Sequence, residues 1–479
     1  MRYILNERFR LRGWERLPYA ITDTKTGSVV FISALHMDAL KLCNGRIETS
    51  LPIIPQETRE LLPLLEKDGI IRPAGEGETI RPEQEYRLYP ARYIRTAHWS
   101  VTGRCNYRCK HCCMSAPDAK YGELSHEQIM HMVQELSDCG VMNVSLTGGE
   151  PLVRPDFMEI VDALAEREIR ITQIYTNGAL VNRKLLEVLD SRGLHPEFNM
   201  SYDGVGWHDW LRGIPGAEAA VDRAFLLCRE MGFPTGSEMC LHGGNKSILR
   251  ESVRHLRDVG CSSLKTNPIA DIGEWKKNGY GETLSFGELF QIYYDYIPYY
   301  YEDGMPVRLM LGGFFAADPR KPGSWDIPMY HIPGDPAKTC VYQHARMVMY
   351  ISPEGRALPC LSVSGMDIQE QFPLIPEEGL AKCITDSRYM DFINTRADRV
   401  LAHNAECTDC LWRSRCLGGC RAGGLEDSGQ TDLLYRDPAC CMLYKNGWIG
   451  RIAELMKRIQ PEADSPVTRD KELMGLLGL

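Results

Sequence analysis

The sequence predicts an α/β protein whose central part is built on parallel strands. Strand-like and helix-like segments alternate between residues 93 and 315. Such alternation implies a parallel sheet, and about six units suit a partial, TIM-like (β/α)6 barrel. Residues 1–73 have the pattern of a smaller α+β domain, and residues 338–445 are rich in cysteine. The length of 479 residues agrees with about three domains.

The N-terminal domain is predicted from short alternating runs and turn residues. Strands are expected at residues 19–22 and 29–32, around the turn Lys25-Thr26-Gly27-Ser28. Helices are expected at residues 34–43 and 57–67, followed by an edge strand from Ile70. Residues 74–92 are rich in Gly, Pro and Glu and predict a linker.

The barrel segment contains seven strand candidates, at residues 94–101, 142–146, 169–175, 196–202, 235–242, 263–268 and 306–311. Helices are predicted at residues 217–231 and 246–259, and another begins at Ser125, which forms a capping-box pattern with Gln128. Barrel enzymes place their chemistry at the carboxyl ends of the strands. Functional residues are therefore expected just after each strand. Residues 446–479 are expected to form a C-terminal helix and tail.

The first such strand end carries Cys105, Cys109 and Cys112 in the spacing CxxxCxxC. A four-iron cluster normally takes four thiolates, so three would leave one iron free. A structural zinc site needs four closed ligands, and a disulfide framework needs an oxidising compartment. The triplet therefore favours an iron–sulfur cluster with one open iron.

Three later strand ends carry polar turns. The first turn is Thr147-Gly148-Gly149-Glu150-Pro151, where glycine permits close approach of a ligand and Glu150 supplies a charge. The others are Thr176-Asn177-Gly178 and Ser201-Tyr202-Asp203-Gly204, which offer hydroxyl, amide and carboxylate groups. The alternative is that these are ordinary turns, for which Gly-Gly, Asn-Gly and Asp-Gly are favoured dipeptides.

The triplet and these turns, in this order, resemble the radical S-adenosylmethionine (SAM) superfamily, whose usual fold is a partial barrel. The resemblance implies that the open iron binds SAM and that SAM is cleaved to a 5′-deoxyadenosyl radical, which abstracts a hydrogen atom. It also implies a set of SAM-contacting residues: Gly148, Gly149, Glu150, Pro151, Thr176, Asn177, Ser201 and Asp203.

A second group of cysteines follows the barrel: Cys340, Cys360, Cys407, Cys410, Cys416, Cys420 and Cys440. Residues 338–445 resemble the SPASM domain of radical SAM peptide maturases. That resemblance implies two auxiliary 4Fe–4S clusters and so three in all, with Cys407, Cys410, Cys416 and Cys440 on one and Cys340, Cys360 and Cys420 on the other. A zinc ribbon would use only the four cysteines from 407 to 420 and leave three unexplained.

At two places the sequence departs from the pattern of the anaerobic sulfatase maturases, and this narrows the choice of reaction. Leu361 stands where those enzymes have an Asp, and residues 341–359 contain no cysteine. We therefore expect an open iron on the cluster of Cys340, unless Cys383, Cys441 or a non-cysteine residue fills it. Such an iron would bind a substrate thiolate.

The N-terminal domain resembles the winged-helix-like precursor-peptide recognition element, which binds a leader peptide by adding it as a strand. The alternative is a structural cap over the barrel. Together these resemblances imply modification of a ribosomally made peptide, and a thioether of the sactisynthase or ranthipeptide type is the leading interpretation. Carbon–carbon crosslinking remains open, as does epimerisation with Cys240 as hydrogen-atom donor.

A different class of function is a non-catalytic iron–sulfur carrier or scaffold, which would need neither an open iron nor the Gly-Gly-Glu-Pro turn. A radical SAM peptide maturase, by contrast, would need an electron donor such as flavodoxin or ferredoxin.

The net charge of −9 argues against nucleic acid as a partner. Neither an apolar run long enough to cross a membrane nor a signal sequence is apparent. A cytoplasmic enzyme is therefore expected.

Overall fold

The computed structural model describes residues 1–281, 283–342, 344–429 and 431–477. In these parts of the chain the strands are β1 Arg2–Leu5, β2 Phe9–Glu15, β3 Leu17–Asp23, β4 Ser28–Phe31, β5 Asn44–Glu48, β6 Ile71–Pro73, β7 Arg87–Arg92, β8 Thr96–Ser100, β9 Asn143–Thr147, β10 Arg170–Thr176, β11 Glu197–Ser201, β12 Thr235–Leu241, β13 Ser263–Pro268, β14 Arg308–Leu311, β15 Phe315–Ala317, β16 Trp325–Asp326, β17 Val348–Ile351 and β18 Ala357–Leu358.

The α-helices in the same parts are α1 Ala34–Leu42, α2 Gln56–Lys67, α3 His126–Asp138, α4 Phe157–Glu166, α5 Arg183–Ser191, α6 His208–Arg212, α7 Ala217–Glu230, α8 Leu249–Val259, α9 Gly273–Asn278, α10 Phe286–Glu302, α11 Ile375–Glu378, α12 Leu380–Cys383, α13 Arg388–Ile393, α14 Ala397–His403, α15 Arg413–Cys416, α16 Arg421–Asp427, α17 Pro438–Lys445, α18 Trp448–Ile459, α19 Pro466–Arg469 and α20 Lys471–Leu477. None of them combines the length and the apolar character that crossing a bilayer requires.

An eleven-stranded sheet forms the centre of the molecule, in the order β16-β15-β14-β13-β12-β11-β10-β9-β8-β17-β18. Each neighbouring pair from β8 to β14 is parallel. The sheet is open, since β16 and β18 form its two edges. The predicted parallel α/β architecture is confirmed, and the seven predicted barrel strands all coincide with observed ones.

Helices pack on this sheet because their sequences place apolar residues on one face. In α3, Ile129, Met132, Val133 and Leu136 recur at helical spacing and are buried. The helix begins at Ser125, whose hydroxyl accepts from the Gln128 backbone N–H while the Gln128 side chain accepts from the Ser125 N–H. The predicted capping box is thus present.

The N-terminal domain holds two small sheets, in the orders β5-β1-β6 and β4-β3-β2-β7. Strands β1, β2 and β5 were not expected from the sequence. Strand β7 lies inside the predicted linker and pairs in parallel with β2. Its Tyr89 ring stacks on Trp14 at 5.6 Å, and the Trp14 indole N–H donates to the Cys139 carbonyl at 3.1 Å. These contacts join the N-terminal domain to the end of α3.

The cysteine-rich part is joined to the sheet by β17, which pairs in parallel with β8. The predicted C-terminal helix and tail contain α18, α19 and α20, and residues 478 and 479 of that tail lie outside the described residues.

Candidate active site

The cysteine triplet lies in the loop after β8, at the carboxyl end of the sheet. This loop is held by α6, because the backbone N–H of Arg108 donates to the Arg212 carbonyl at 3.3 Å and that of Lys110 donates to Leu211 at 2.9 Å. The loop is therefore positioned by backbone bonds to an element that follows β11. Its shape does not depend on the cysteines alone.

The three sulfurs accept hydrogen bonds from close donors: Tyr107 N–H to Cys105 at 3.4 Å, Ala116 N–H to Cys112 at 3.4 Å, and the Arg212 guanidinium to Cys109 at 3.7 Å. Burial raises the pKa of Cys105 to about 12 and also raises those of Cys109 and Cys112. Ionising such thiols needs a strong positive partner, which a bound metal supplies. Sulfurs surrounded by N–H donors fit an iron–sulfur cluster.

The Gly-Gly-Glu turn after β9 packs directly on this loop. The N–H of Gly149 donates to the Thr102 carbonyl at 2.9 Å, and that of Glu150 donates to Arg104 at 2.8 Å. A Cβ on Gly149 would lie 2.2 Å from the Arg104 carbonyl oxygen, and one on Gly148 would lie 2.6 Å from that of Thr102. Glycine is required at these two positions because the backbone of Thr102 and Arg104, and not a ligand, lies so close to them.

Glu150 is fully buried and joins the end of β9 to the end of β10. Its carboxylate accepts from the Thr176 hydroxyl at 2.8 Å, the Asn177 N–H at 2.7 Å and the Leu152 N–H at 3.1 Å. Burial raises the pKa of Glu150 to about 7 even though these three bonds favour the charged form. Most of its hydrogen-bonding capacity is therefore used inside the protein. Pro151, next in the chain, is buried and opens a 3-10 turn.

Asn177 connects the β10 end to the triplet. Its side-chain NH₂ donates to the Asn106 amide oxygen at 2.7 Å and lies 4.0 Å from the Cys105 sulfur. Ser201 is the last residue of β11 and pairs with Glu238 of β12. The predicted strand-end residues thus share the carboxyl edge of the sheet with the triplet.

Asp203 is buried and bonded to three neighbouring groups. The Arg212 guanidinium donates to it at 2.7 Å, the Cys240 N–H donates at 3.0 Å, and its own N–H donates to the His208 ring at 3.0 Å. Burial alone would raise the pKa of Asp203, but Arg212 and the two nearby imidazoles lower it well below its usual range. The carboxylate is therefore ionised.

Arg212 and His208 were missed at the level of sequence. Both lie on α6, with His208 five and Arg212 nine residues after Asp203. Arg212 is buried, and its guanidinium lies between Asp203 and Cys109. The spacing DxxxxHxxxR after a strand end was the available signal. A buried cation beside the triplet suits an anionic ligand group there.

A polar pocket lies next to the triplet. Ligand atoms of His111, Asp203 and Cys240 are all within 4.8 Å of one another. The His111 Nδ1 is buried without a hydrogen-bond partner among the described residues, and burial lowers the His111 pKa to about 3. A neutral, unpartnered ring nitrogen beside an ionised carboxylate fits a polar ligand. Cys240, the candidate hydrogen-atom donor, therefore lies in this pocket.

A cavity of about 1100 Å³ runs from this pocket along the inner face of the sheet. At one end it is lined by His111, Cys113 and Cys240, and Cys360 forms part of its wall. At the other end it reaches the turn 26–28 of the N-terminal domain. The lining in between is largely polar, and includes His98, Gln173, Glu238, Lys265 and Asn267.

Four of the downstream cysteines, Cys407, Cys410, Cys416 and Cys440, lie close enough for their charges to interact. A hydrogen bond between Cys416 and Cys440 lowers the pKa of Cys416 to about 7 and raises that of Cys440. Cys441 interacts with the same cluster of thiols. This grouping matches the set predicted for one auxiliary cluster.

A second group contains Cys360 and Cys420, whose charges interact with each other and with Tyr342. The Tyr342 hydroxyl is 3.8 Å from the Cys360 sulfur. Cys340 lies between two guanidinium groups, with Arg346 at 3.2 Å and Arg396 at 3.0 Å from its sulfur.

The remaining candidate for this group, Cys383, lies elsewhere. It is buried on α12, which packs on α3, and its charge interacts with Glu135 and Cys139. Neither Cys383 nor Cys441 is therefore grouped with Cys360 and Cys420.

Residues 99–256 match the family model of the Radical SAM superfamily. These residues therefore form a radical SAM domain, which makes the chain an enzyme and not a passive iron–sulfur carrier. The superfamily implies SAM and a 4Fe–4S cluster as cofactors, and the donors around Cys105, Cys109 and Cys112 fit that cluster.

The chain is similar to several proteins that act on peptides or take part in peptide biosynthesis. The PqqA peptide cyclase of Granulibacter bethesdensis is 26% identical over 344 residues, which cover 71% of this chain and 86% of that protein. The antilisterial bacteriocin subtilosin biosynthesis protein AlbA of Bacillus subtilis is 28% identical over 179 residues, 37% of this chain and 40% of its own length. The structure of Streptococcus suis SuiB bound to S-adenosylmethionine has a TM-score of 0.60 at 16% identity, covering 91% of this chain and 99% of SuiB, and shows the same fold.

Proposed function

We propose that this enzyme modifies a ribosomally made precursor peptide by joining a cysteine sulfur to a carbon of another residue. The observation that best supports this proposal is one continuous cavity, which extends from the triplet loop past Cys360 to the turn 26–28. A peptide lying in it would be held between two sulfur-rich groups. Similarity to the PqqA peptide cyclase and to the subtilosin biosynthesis protein supports a peptide as the substrate class.

The triplet of Cys105, Cys109 and Cys112 would hold the SAM-binding cluster. When bound, SAM and this cluster supply a radical that abstracts hydrogen from the peptide. The chain's own groups would orient SAM at the strand ends: Gly148, Gly149, Glu150, Pro151, Thr176, Asn177, Ser201 and Asp203. Several of them act indirectly, since Glu150 and Asp203 bond mainly to protein groups.

The seven downstream cysteines would hold two auxiliary 4Fe–4S clusters, which makes three clusters in total. The proximity of Cys407, Cys410, Cys416 and Cys440 supports the first set. The second set would be Cys340, Cys360 and Cys420, with one iron open to a substrate thiolate. Cys383 interacts instead with Cys139, and Cys441 with Cys416, which supports that open position, while Cys340 is assigned to this set by the resemblance.

The N-terminal domain would bind the leader part of the peptide. Strand β4 is an edge of its sheet, and its first residue, Ser28, lines the cavity. A peptide strand added to this edge would lead into the cavity. An external one-electron donor, such as flavodoxin or ferredoxin, would complete the reaction system.

The test is incubation of the reconstituted enzyme with SAM, a reductant and the precursor peptide encoded beside it, followed by mass spectrometry. A thioether removes two hydrogens from the peptide and protects the cysteine from alkylation. Replacing that cysteine by serine should abolish the product. A peptide that loses two hydrogens without any cysteine would instead establish a carbon–carbon crosslink.

Epimerisation is a second candidate, because the Cys240 thiol lies in the cavity wall beside His111. In that case the peptide mass is unchanged in H₂O and rises by one deuterium in D₂O. Cys240→Ala should then stop turnover after hydrogen abstraction. An unchanged product from Cys240→Ala would rule this candidate out.

A further inference from the structure

A carboxylate on α16 faces the cavity and has no role in the proposed cofactor sites. Helix α16 begins directly after Cys420, and its Glu426 lines the cavity together with Cys113, Cys360 and Leu361. The carboxylate therefore lies on the wall that carries the second cysteine group. Leu361 on the same wall supplies no acid–base group.

The Glu426 carboxylate is less engaged by polar partners than the acids around it. No side-chain hydrogen bond or ion pair of Glu426 occurs among the residues that the structure describes. Its acidic neighbour Asp437, the N-cap residue of α17, accepts backbone N–H bonds from Cys420 and Ala439, both at 2.9 Å. Burial, with a smaller contribution from Asp437, raises the pKa of Glu426 to about 7.

The other acids of the cavity are less suited to proton transfer at the site. Glu238 lies 3.6 Å from the Lys265 ammonium, so its charge is compensated. Glu197 is the first residue of β11 and so lies at the opposite end of the strand from the triplet. Glu426 is thus the carboxylate placed where the peptide would meet both sulfur-rich groups.

Forming a carbon–sulfur bond from a C–H and an S–H removes two hydrogens from the peptide. One leaves as a hydrogen atom to the SAM-derived radical. The thiol proton must leave to a base as the sulfur becomes the thiolate that the open iron would bind, and one electron must leave to an acceptor when sulfur and carbon join. Under the proposed function, an oxidised auxiliary cluster would be that acceptor.

We propose that Glu426 is the catalytic base that takes this thiol proton from the substrate. The inference rests on the proposed function and adds to it the group that removes the proton. A carboxylate that is half-buried, unpaired among the described residues and beside the site is the arrangement that general-base catalysis uses.

The test compares Glu426→Gln with Glu426→Asp, and uses Asp427→Asn, an exposed neighbour on the same helix, as the matched control. In Glu426→Gln the ratio of crosslinked peptide to 5′-deoxyadenosine should fall by a factor on the order of 100, since a base of this kind contributes about that much. Glu426→Asp should restore part of the ratio, and Asp427→Asn should leave it unchanged. An unchanged ratio in Glu426→Gln would overturn the proposal.

Two further measurements separate this role from others. Peptide affinity and the paramagnetic resonance of the auxiliary clusters should be the same in Glu426→Gln as in the parent protein. A changed resonance would make the carboxylate a cluster ligand and overturn the proposal. If the parent enzyme makes no crosslink in any cognate peptide, the proposed function is wrong. If the parent makes the crosslink and Glu426→Gln makes it equally well, only the role of Glu426 as the base is wrong.

Discussion

At the scale of single residues, the two buried carboxylates at the strand ends have opposite pKa shifts. Glu150 bonds to neutral donors only, so burial prevails and its pKa rises. Asp203 faces the Arg212 cation, which outweighs the same burial. The difference follows from one partner: a full positive charge stabilises a buried carboxylate far more than a neutral N–H does.

We expect Glu150 to make the free energy of unfolding depend on pH. The unfolded carboxyl ionises near pH 4.5, whereas the folded one keeps its proton up to about pH 7. Stability from this group is therefore full below pH 4.5 and falls as the pH rises to 7, by about 3 kcal/mol. Urea unfolding at several pH values should show a smaller fall in Glu150→Gln. The exposed control Glu166→Gln should behave as the parent, and a Glu150→Gln curve parallel to it would contradict the shift.

We expect Gly149→Ala to lower the rate of SAM cleavage by a factor on the order of 10 or more. The added Cβ would lie 2.2 Å from the Arg104 carbonyl oxygen, so the turn or the triplet loop would have to shift. Release of 5′-deoxyadenosine without peptide measures this. Gly323→Ala is the control, because its Cβ would meet nothing within 4 Å. Equal cleavage by the two variants would show that the turn can yield.

At the scale of elements, β4 offers its free edge to an added strand. Ile32 donates to Tyr19 and Val30 pairs with Ile21, so the alternation of an antiparallel ladder turns the N–H of Val29 outward. This places the proposed leader contact on a definite set of backbone groups.

Val29→Pro should lower the affinity for the precursor peptide by about 1 kcal/mol or more, because it removes one outward donor. Peptide binding by fluorescence anisotropy measures this, and SAM cleavage without peptide should persist. Val29→Ala keeps the N–H and serves as the control. Unchanged affinity in Val29→Pro would favour the structural cap instead.

The elements that the sequence predicted best are strands that lie between helices and alternate apolar with polar residues. Strands β8 to β14 have this character, whereas β7 contains Pro90 and few apolar residues, so it resembled a linker. It becomes a strand because Tyr89 packs on Trp14 of a distant segment. The triplet and the turns could be predicted from their spacing. The contact between Arg212 and Cys109 could not, because it forms only when α6 packs against the triplet loop.

At the scale of the whole molecule, the proposed clusters can be counted. Ten cysteines in three sets imply about twelve irons after anaerobic reconstitution. Replacing Cys105, Cys109 and Cys112 by Ala should leave about eight and abolish SAM cleavage. Iron and sulfide assays measure this. A parent protein that never binds more than about four irons would exclude the auxiliary clusters.

The pairing of β17 with β8 sets a fixed distance inside the enzyme. Val348 lies beside Thr96 and Ile351 beside Trp99, so the segment between Cys340 and Cys360 is in register with the strand that leads to the triplet. A slip of this ladder would have to occur in whole residues of about 3.3 Å. The spacing of the two sulfur-rich groups is thus set in part by a β-ladder. Under the proposed function, a peptide lying between them would have to match a spacing that the ladder already defines.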